Sequence, residues 1–216
     1  CSGDSMQNVL DQTRTFLDAH AELVILQVSH FCGTSAQDDT LAAMVTAALG
    51  PRLYTQSEGH ETPLIARPLS DLIGAEATGK ALVLWGGLSD EPEQRAEGRF
   101  ANSVLPTKGG WSNKQDAAEM VADQLSRYAA FNHDGTSLFE FSWTLTMNAE
   151  LAAACLYEED PRTIESMAAE ANAVLTANLD ALIASGQIAQ NKIPNILSVD
   201  FADTAVTEQC TRLNAL

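Results

Sequence analysis

The chain has 216 residues, 45% of them hydrophobic and 19% charged, enough to bury one sizeable core. Its net charge of −17 repels phosphate backbones and anionic bilayers, which argues against nucleic acid as a partner and against firm membrane docking. No apolar run approaches the ~20 residues needed to cross a bilayer, and the plain meaning of the acidity is solubility, in a secreted protein or one from a salty habitat.

Met6, Val9, Leu10, Thr13, Phe16 and Leu17 recur at helical spacing behind a cap at Asp4 or Ser5. A turn at residues 18–21 leads to a first apolar run, 23–30, that ends in Ser29 and His30. Residues 34–38 open a second helix through Leu41, Met44, Val45 and Leu49, stopped by Gly50 and Pro51. Residues 51–79 are polar and broken, with a short helix near 69–73. A second run, 80–87, ends in Gly86 and Gly87, and a charged, Gly-containing loop fills 88–112. Ser112 caps a helix through Ala117, Met120, Val121 and Leu125, and a turn at 132–135 precedes the third run, 138–146. Asp160 and Pro161 start one long helix from Ile164 to Ile183, ended by Gly186. The fourth run, 195–201, follows Pro194, and a last helix carries Val206, Cys210 and Leu213. Strands alternating with helices imply a parallel α/β sheet with right-handed crossovers, and such folds place their chemistry at the carboxyl ends of the strands.

Several kinds of chemistry lack their motifs. There is no GxGxxG, P-loop, GxSxG or HExxH, so nucleotide binding, serine hydrolysis and zinc proteolysis have no support. Cys1, Cys32, Cys155 and Cys210 show no metal-ligand spacing; Cys155 and Cys210 fall in helix-like stretches and read as buried thiols, and no metal or cofactor is expected. Cys1-Ser2-Gly3-Asp4 fits both the mature start of a lipidated protein and an arbitrary cut, which leaves secreted, cell-envelope and lipid-anchored locations open.

The polar groups at the run ends are the candidates. Asp200 closes the fourth run, where alternation sets Ile196, Ser198 and Asp200 on one face and Leu197, Val199 and Phe201 on the other. A carboxylate there orients a histidine, or else caps the next helix together with Asp203 and Thr204. Ser29 and His30 are positioned to touch a substrate, although a lone histidine is more often a satisfied structural group. Trp85, Trp111 and Trp143 lie near run ends, where an aromatic face packs on a sugar or cyclitol ring or simply fills the core. Ser142 and Thr144 alternate with Phe141, Trp143 and Leu145, so one face of the third run carries hydroxyls.

Taken together, the runs resemble a known family. Residues 16–31 resemble the stretch FLDxxPxEVVILDFxHF of the phosphatidylinositol-specific phospholipase C X-domain family; residues 80–85 are similar to its next strand, 139–146 to its LSWTLT strand, and 194–201 to its closing strand, ahead of Leu213 and Asn214. The resemblance runs in order over nearly the whole chain. It implies a distorted (β/α) barrel of the triosephosphate-isomerase type, with residues 1–216 forming the C-terminal part of one domain that lacks its first strands. It also implies a phosphoric diester hydrolase or lyase. The inositol 2-hydroxyl attacks phosphorus, one histidine is the general base, another the general acid, and an arginine stabilises the charge on phosphorus. On this resemblance Asp200 orients the base; Ser29, His30, Trp85, Trp111, Ser142 and Thr144 are the residues expected to face the substrate from their places at or near the run ends.

The chain also departs from the family. Its catalytic histidines and arginine stand upstream of the matched segment, and none of His20, His30, His60 and His133 falls on those positions. Ser29 stands where the family has a substrate-binding lysine or a calcium-ligating glutamate, and Trp85-Gly86 where it has another basic residue. The expectation is a chain inactive by itself, prone to associate through open strand edges, whose partner is a phospholipid or other phosphodiester met in transient contact with a membrane surface. The alternative is a binding protein that has lost the catalytic groups.

Overall fold

The structure is a computed structural model that describes residues 4–29, 35–56, 62–73, 78–154, 157 and 162–216. The chain divides into two compact units, Cys1–Pro106 and Thr107–Leu216.

The first unit opens with helix α1 (Met6–Ala19), where the Ser5 hydroxyl caps the first turn by accepting from the Asn8 N–H at 3.2 Å. Strand β1 (Leu23–Val28), helix α2 (Ser35–Leu49), the short α3 (Leu69–Ile73), strand β2 (Lys80–Trp85), α4 (Pro92–Ala96) and the two-residue strand β3 (Phe100–Ala101) follow. The sheet is parallel in the order β1-β2-β3, with Leu23 opposite Lys80 and Val28 opposite Trp85. Leu10 and Leu17 of α1 and Val45 and Leu49 of α2 pack on Ala81, Val83 and Trp85, so one face of the sheet is covered by helices. Gly79 lets β2 begin under α1: a Cβ there would stand 2.3 Å from the Glu22 carbonyl oxygen, and the Gly79 N–H donates to the Leu17 carbonyl at 2.8 Å.

Asp18 ties the ends of α1 and α2 together. Its carboxylate accepts from Arg52 Nε at 2.7 Å and Arg14 Nε at 3.0 Å. The Arg52 hydrogen bond, aided by Arg14, holds the Asp18 carboxyl below the ordinary carboxylate range. A folded-state value below the unfolded one gives stability that is present above the unfolded pKa and lost as pH falls through the folded one. Asp18→Asn is therefore expected to be less stable than the parent at neutral pH, with the gap closing in acid. Urea denaturation at a series of pH values measures it, and a gap undiminished in acid would refute the pairing.

The second unit contains β4 (Thr107–Gly109), α5 (Ala117–Ala130), β5 (Leu138–Trp143), α6 (Ala149–Ala154), α7 (Ile164–Ala173), α8 (Leu175–Ala184), β6 (Ile196–Val199) and α9 (Thr204–Asn214). Its sheet is parallel in the order β4-β5-β6, with Gly109 opposite Glu140 and Ser142 opposite Ser198. Phe139, Phe141 and Trp143 of β5 pack with Met120 and Tyr128 of α5, Met167 and Ala171 of α7, Leu175 and Leu179 of α8, and Val206 and Leu213 of α9. The Trp143 indole N–H donates to the Ala171 carbonyl at 2.9 Å, which pins α7 to the strand.

Three expectations are corrected here. The barrel does not form: the strands make two separate three-stranded parallel sheets, and neither closes on itself. A closed barrel needs about eight strands in one ring, whereas the 88–112 region yields only the short β3 and β4. A 3₁₀ turn at Asn102–Val104 and Pro106, which has no N–H to give a ladder, lie between them. Asp116, not Ser112, caps α5, by accepting from the Glu119 N–H at 3.0 Å. The long helix from Ile164 breaks at Val174, where the backbone turns to φ −98, ψ −4, and the Asn178 amide donates to the Val174 carbonyl at 2.7 Å. Thr163 caps α7 through a reciprocal pair with Ser166; Asp160 and Pro161 lie outside the described residues. Among the described residues no helix is long and apolar enough to cross a membrane.

Candidate ligand surface at the strand ends

Alternation divides the second sheet into two unlike faces. The helix-covered face holds Phe139, Phe141 and Trp143, with Leu197 and Val199 packed against the same core. The other face carries Glu140, Ser142 and Thr144 along and just beyond β5, and Ser198 and Asp200 along and just beyond β6. Ser142 is buried and the other four are half-buried. Ser142 and Ser198 are direct cross-strand neighbours, and the Ser142 and Thr144 hydroxyls lie 3.2 Å apart. A row of hydroxyls and carboxylates thus runs toward the carboxyl end of the sheet.

Gln124 builds that end. β4 stops at Gly109, opposite Glu140, so the Ser142 N–H, two residues further on, has no strand partner on that side. The Gln124 carboxamide takes the vacant place: its oxygen accepts from the Ser142 N–H at 3.0 Å, and its nitrogen donates to the Gly110 carbonyl at 2.8 Å and the Ser112 hydroxyl at 2.6 Å. Gln124 is fully buried, and its carboxamide continues the ladder sideways. Ser112 also hydrogen-bonds Asp123, which, with Arg127 at 2.8 Å, keeps that carboxyl below the ordinary range. Asn195 does the matching service at the other end of β5, where its side-chain oxygen accepts from the Phe139 N–H at 2.8 Å.

Asp200 follows the last residue of β6. Its backbone carbonyl accepts from the Asn172 amide at 3.1 Å, and its carboxylate makes no hydrogen bond or ion pair among the described residues. The capping alternative for this residue falls to its neighbour: the Asp203 side chain accepts from the Val206 N–H at 3.0 Å and is the N-cap of α9. Asn172 Oδ1 is buried beside Asp200 without a hydrogen-bond partner among the described residues.

Two residues past the strand ends hold left-handed backbone. Asn113 and Phe201, each with φ 53, are the non-glycine residues with positive φ among those described. For a bulky residue this is an outlier, costing about 1–2 kcal/mol. Phe201 gains little burial in return, since it is 61% exposed, and Trp111 nearby in sequence to Asn113 is 59% exposed. Two large aromatic side chains, Trp111 after β4 and Phe201 after β6, are therefore mostly exposed, and Phe201 borders a cleft that Asn172, Thr176 and Val206 also line. Phe201→Gly is expected to leave stability within about 1 kcal/mol of the parent, because relief of the left-handed strain offsets glycine's added chain entropy. A loss above about 2 kcal/mol in chemical denaturation would mean that Phe201 is a packing residue after all.

The other sequence candidates lie elsewhere. Ser29 is exposed just after β1, with its Cβ 3.3 Å from the position a Cβ on Gly86 would take. Trp85 is 4% exposed and belongs to the helix-side core of the first unit, so it presents no face to a ligand there. Trp143 is likewise a core residue. His30 and His60 are outside the described residues. His20 stacks on Phe16 at the end of α1, with ring centroids 4.4 Å apart. His133 packs against Tyr128 and Phe131 where the chain approaches β5; burial, helped by Lys192, lowers its pKa. Neither described histidine stands at a strand's carboxyl end. Among the described residues no group of three or more His, Cys, Asp or Glu is placed to hold a metal. Cys210 is half-buried, and burial raises its thiol pKa.

The residues missed in the sequence are Gln124, Ser112, Asn172 and Phe201. Gln124 carried a signal: it sits between Met120 and Tyr128 at four-residue steps on the buried face of α5, where an amide must find partners. Comparison with protein-family models, with curated proteins and with solved structures finds no match for this chain.

Proposed function

We propose that this chain carries the substrate-holding side of a phosphoric diester hydrolase or lyase resembling phosphatidylinositol-specific phospholipase C. The polar row of β5 and β6 receives the head group. Ser142 and Thr144 hydrogen-bond its hydroxyls, Trp111 covers a ring face, and Asp200 orients a histidine general base supplied from outside the described residues. The observation that carries the reading is the division of labour after β6. Asp203 does the capping, so the Asp200 carboxylate has no structural task among the described residues. In the reaction the inositol 2-hydroxyl oxygen forms a bond to phosphorus as the glycerol oxygen leaves. The base takes the hydroxyl proton, and an acid returns one to the leaving oxygen.

The test is release of water-soluble inositol phosphate from phosphatidylinositol vesicles by the native gene product and its Asp200→Asn variant. Turnover that falls by orders of magnitude with circular dichroism unchanged supports the proposal; equal turnover rejects it.

A second reading, a binding protein without turnover, is favoured by one observation. Ser29 stands exposed at the end of β1, where the family that the sequence resembles has a lysine or a glutamate. No turnover in the parent, together with inositol phosphate binding that Thr144→Val weakens, would select this reading.

A further inference from the structure

A cavity lies where the chain enters β5, away from Ser142 and Thr144 at its exit. It is an open cleft of about 420 Å³, within the range of small-molecule sites. Ala130 and Phe131, at the end of α5 and just past it, and Phe139 of β5 form an apolar wall, and Lys108 and Arg127 supply positive charge. The wall is preformed: the Phe131 and Phe139 rings lie 5.0 Å apart, and Phe139 also packs edge-on against Tyr128 at 5.1 Å.

The charges in this cleft are unequally committed. Asp134 accepts from the Thr136 N–H at 2.9 Å, the Thr136 hydroxyl at 2.6 Å and the Asn132 amide at 2.8 Å, so its carboxylate is satisfied by its own turn. Arg127 is paired with Asp123 at 2.8 Å and donates to the Gly109 carbonyl at 3.3 Å. Lys108 is exposed and makes no hydrogen bond or ion pair among the described residues. In a chain of net charge −17, an uncommitted ammonium beside an aromatic wall is unusual, and it is complementary to one ligand chemistry.

We propose that this cleft binds a small amphipathic organic anion: a phosphate or carboxylate held by Lys108, with an aromatic or short alkyl body lying against Phe131 and Ala130. Charge and apolar wall act together, so neither a bare anion nor a neutral ring is sufficient. The site is independent of the strand-end surface and of the reaction proposed for it.

Isothermal titration of the 216-residue chain with phenyl phosphate, inorganic phosphate and phenol tests this. Phenyl phosphate is expected to bind at least ~10-fold tighter than either of the others, and Lys108→Gln to weaken it ~10-fold. Ala130→Trp, an exposed position at the cleft wall, is expected to abolish binding; circular dichroism checks that both variants fold. Inorganic phosphate binding as tightly as phenyl phosphate overturns the proposal, as does binding indifferent to both substitutions. Phosphatidylcholine vesicles doped with phosphatidic acid separate a soluble ligand from a lipid headgroup. Vesicle binding that phenyl phosphate does not compete away also overturns it.

Discussion

Gln124→Leu is expected to lower the stability of the second unit by about 3 kcal/mol. The substitution keeps the side chain's bulk and adds apolar surface, so the loss comes from hydrogen bonds alone. Two groups lose their partner: the buried Ser142 N–H, which β4 is too short to reach, and the half-buried Gly110 carbonyl. Each orphaned group costs about 1–3 kcal/mol, and the extra apolar burial returns part of it. Ser112 suffers less, because it retains Asp123. In thermal unfolding a loss of that size lowers Tm by more than 10 °C for a unit of about 100 residues, at roughly 4–8 °C per kcal/mol. Gln124→Glu sharpens the test. It keeps an acceptor for Ser142 but places a carboxylate in full burial, which raises its pKa above the unfolded value. The folded state then holds a proton that the unfolded state lacks, so stability rises as pH falls, opposite to Asp18. A Gln124→Leu protein with unchanged Tm would show that the ladder ends in water at Ser142.

The two faces of β5 were legible in the sequence because only one of them is buried in the helical core. Phe139, Phe141 and Trp143 alternate with Glu140, Ser142 and Thr144, and period two survives in the composition. The first unit hid the same information. Leu82 and Leu84 are buried along with Ala81, Val83 and Trp85, so β2 reads as a uniform apolar run and nothing says which way Trp85 points. β3 and β4 were illegible for a different reason: two or three residues of Phe-Ala or Thr-Lys-Gly cannot display a period. Missing them mattered most, since they decide whether the strands make one ring or two sheets. The resemblance supplied a barrel, and strand pairing contradicts it. Gln124 and Asn172 were missed because their roles are long-range. A carboxamide's partners are set by where another strand ends, which local pattern does not carry.

Asp200→Asn and Asp203→Ala should separate function from structure within four residues of chain. Asp203 accepts from the Val206 N–H at the start of α9, so alanine removes a helix cap and costs about 1 kcal/mol, with turnover per folded molecule retained. The Asp200 carboxylate has no partner among the described residues, so the isosteric Asn is expected to change stability by less than about 0.5 kcal/mol. Turnover should nevertheless fall by roughly 10³–10⁴, the scale seen when a histidine-orienting carboxylate becomes an amide in a triad. A positioning role leaves a further mark. Loss of the negative charge removes stabilisation of the protonated base, so its pKa drops and the acid limb of the rate profile moves to lower pH. A purely structural aspartate moves neither the limb nor the turnover per folded molecule. If the two variants exchange effects, with Asp200→Asn unfolding the chain and Asp203→Ala silencing it, the carboxylate at the end of β6 is a structural group and the phosphodiesterase reading loses its residue.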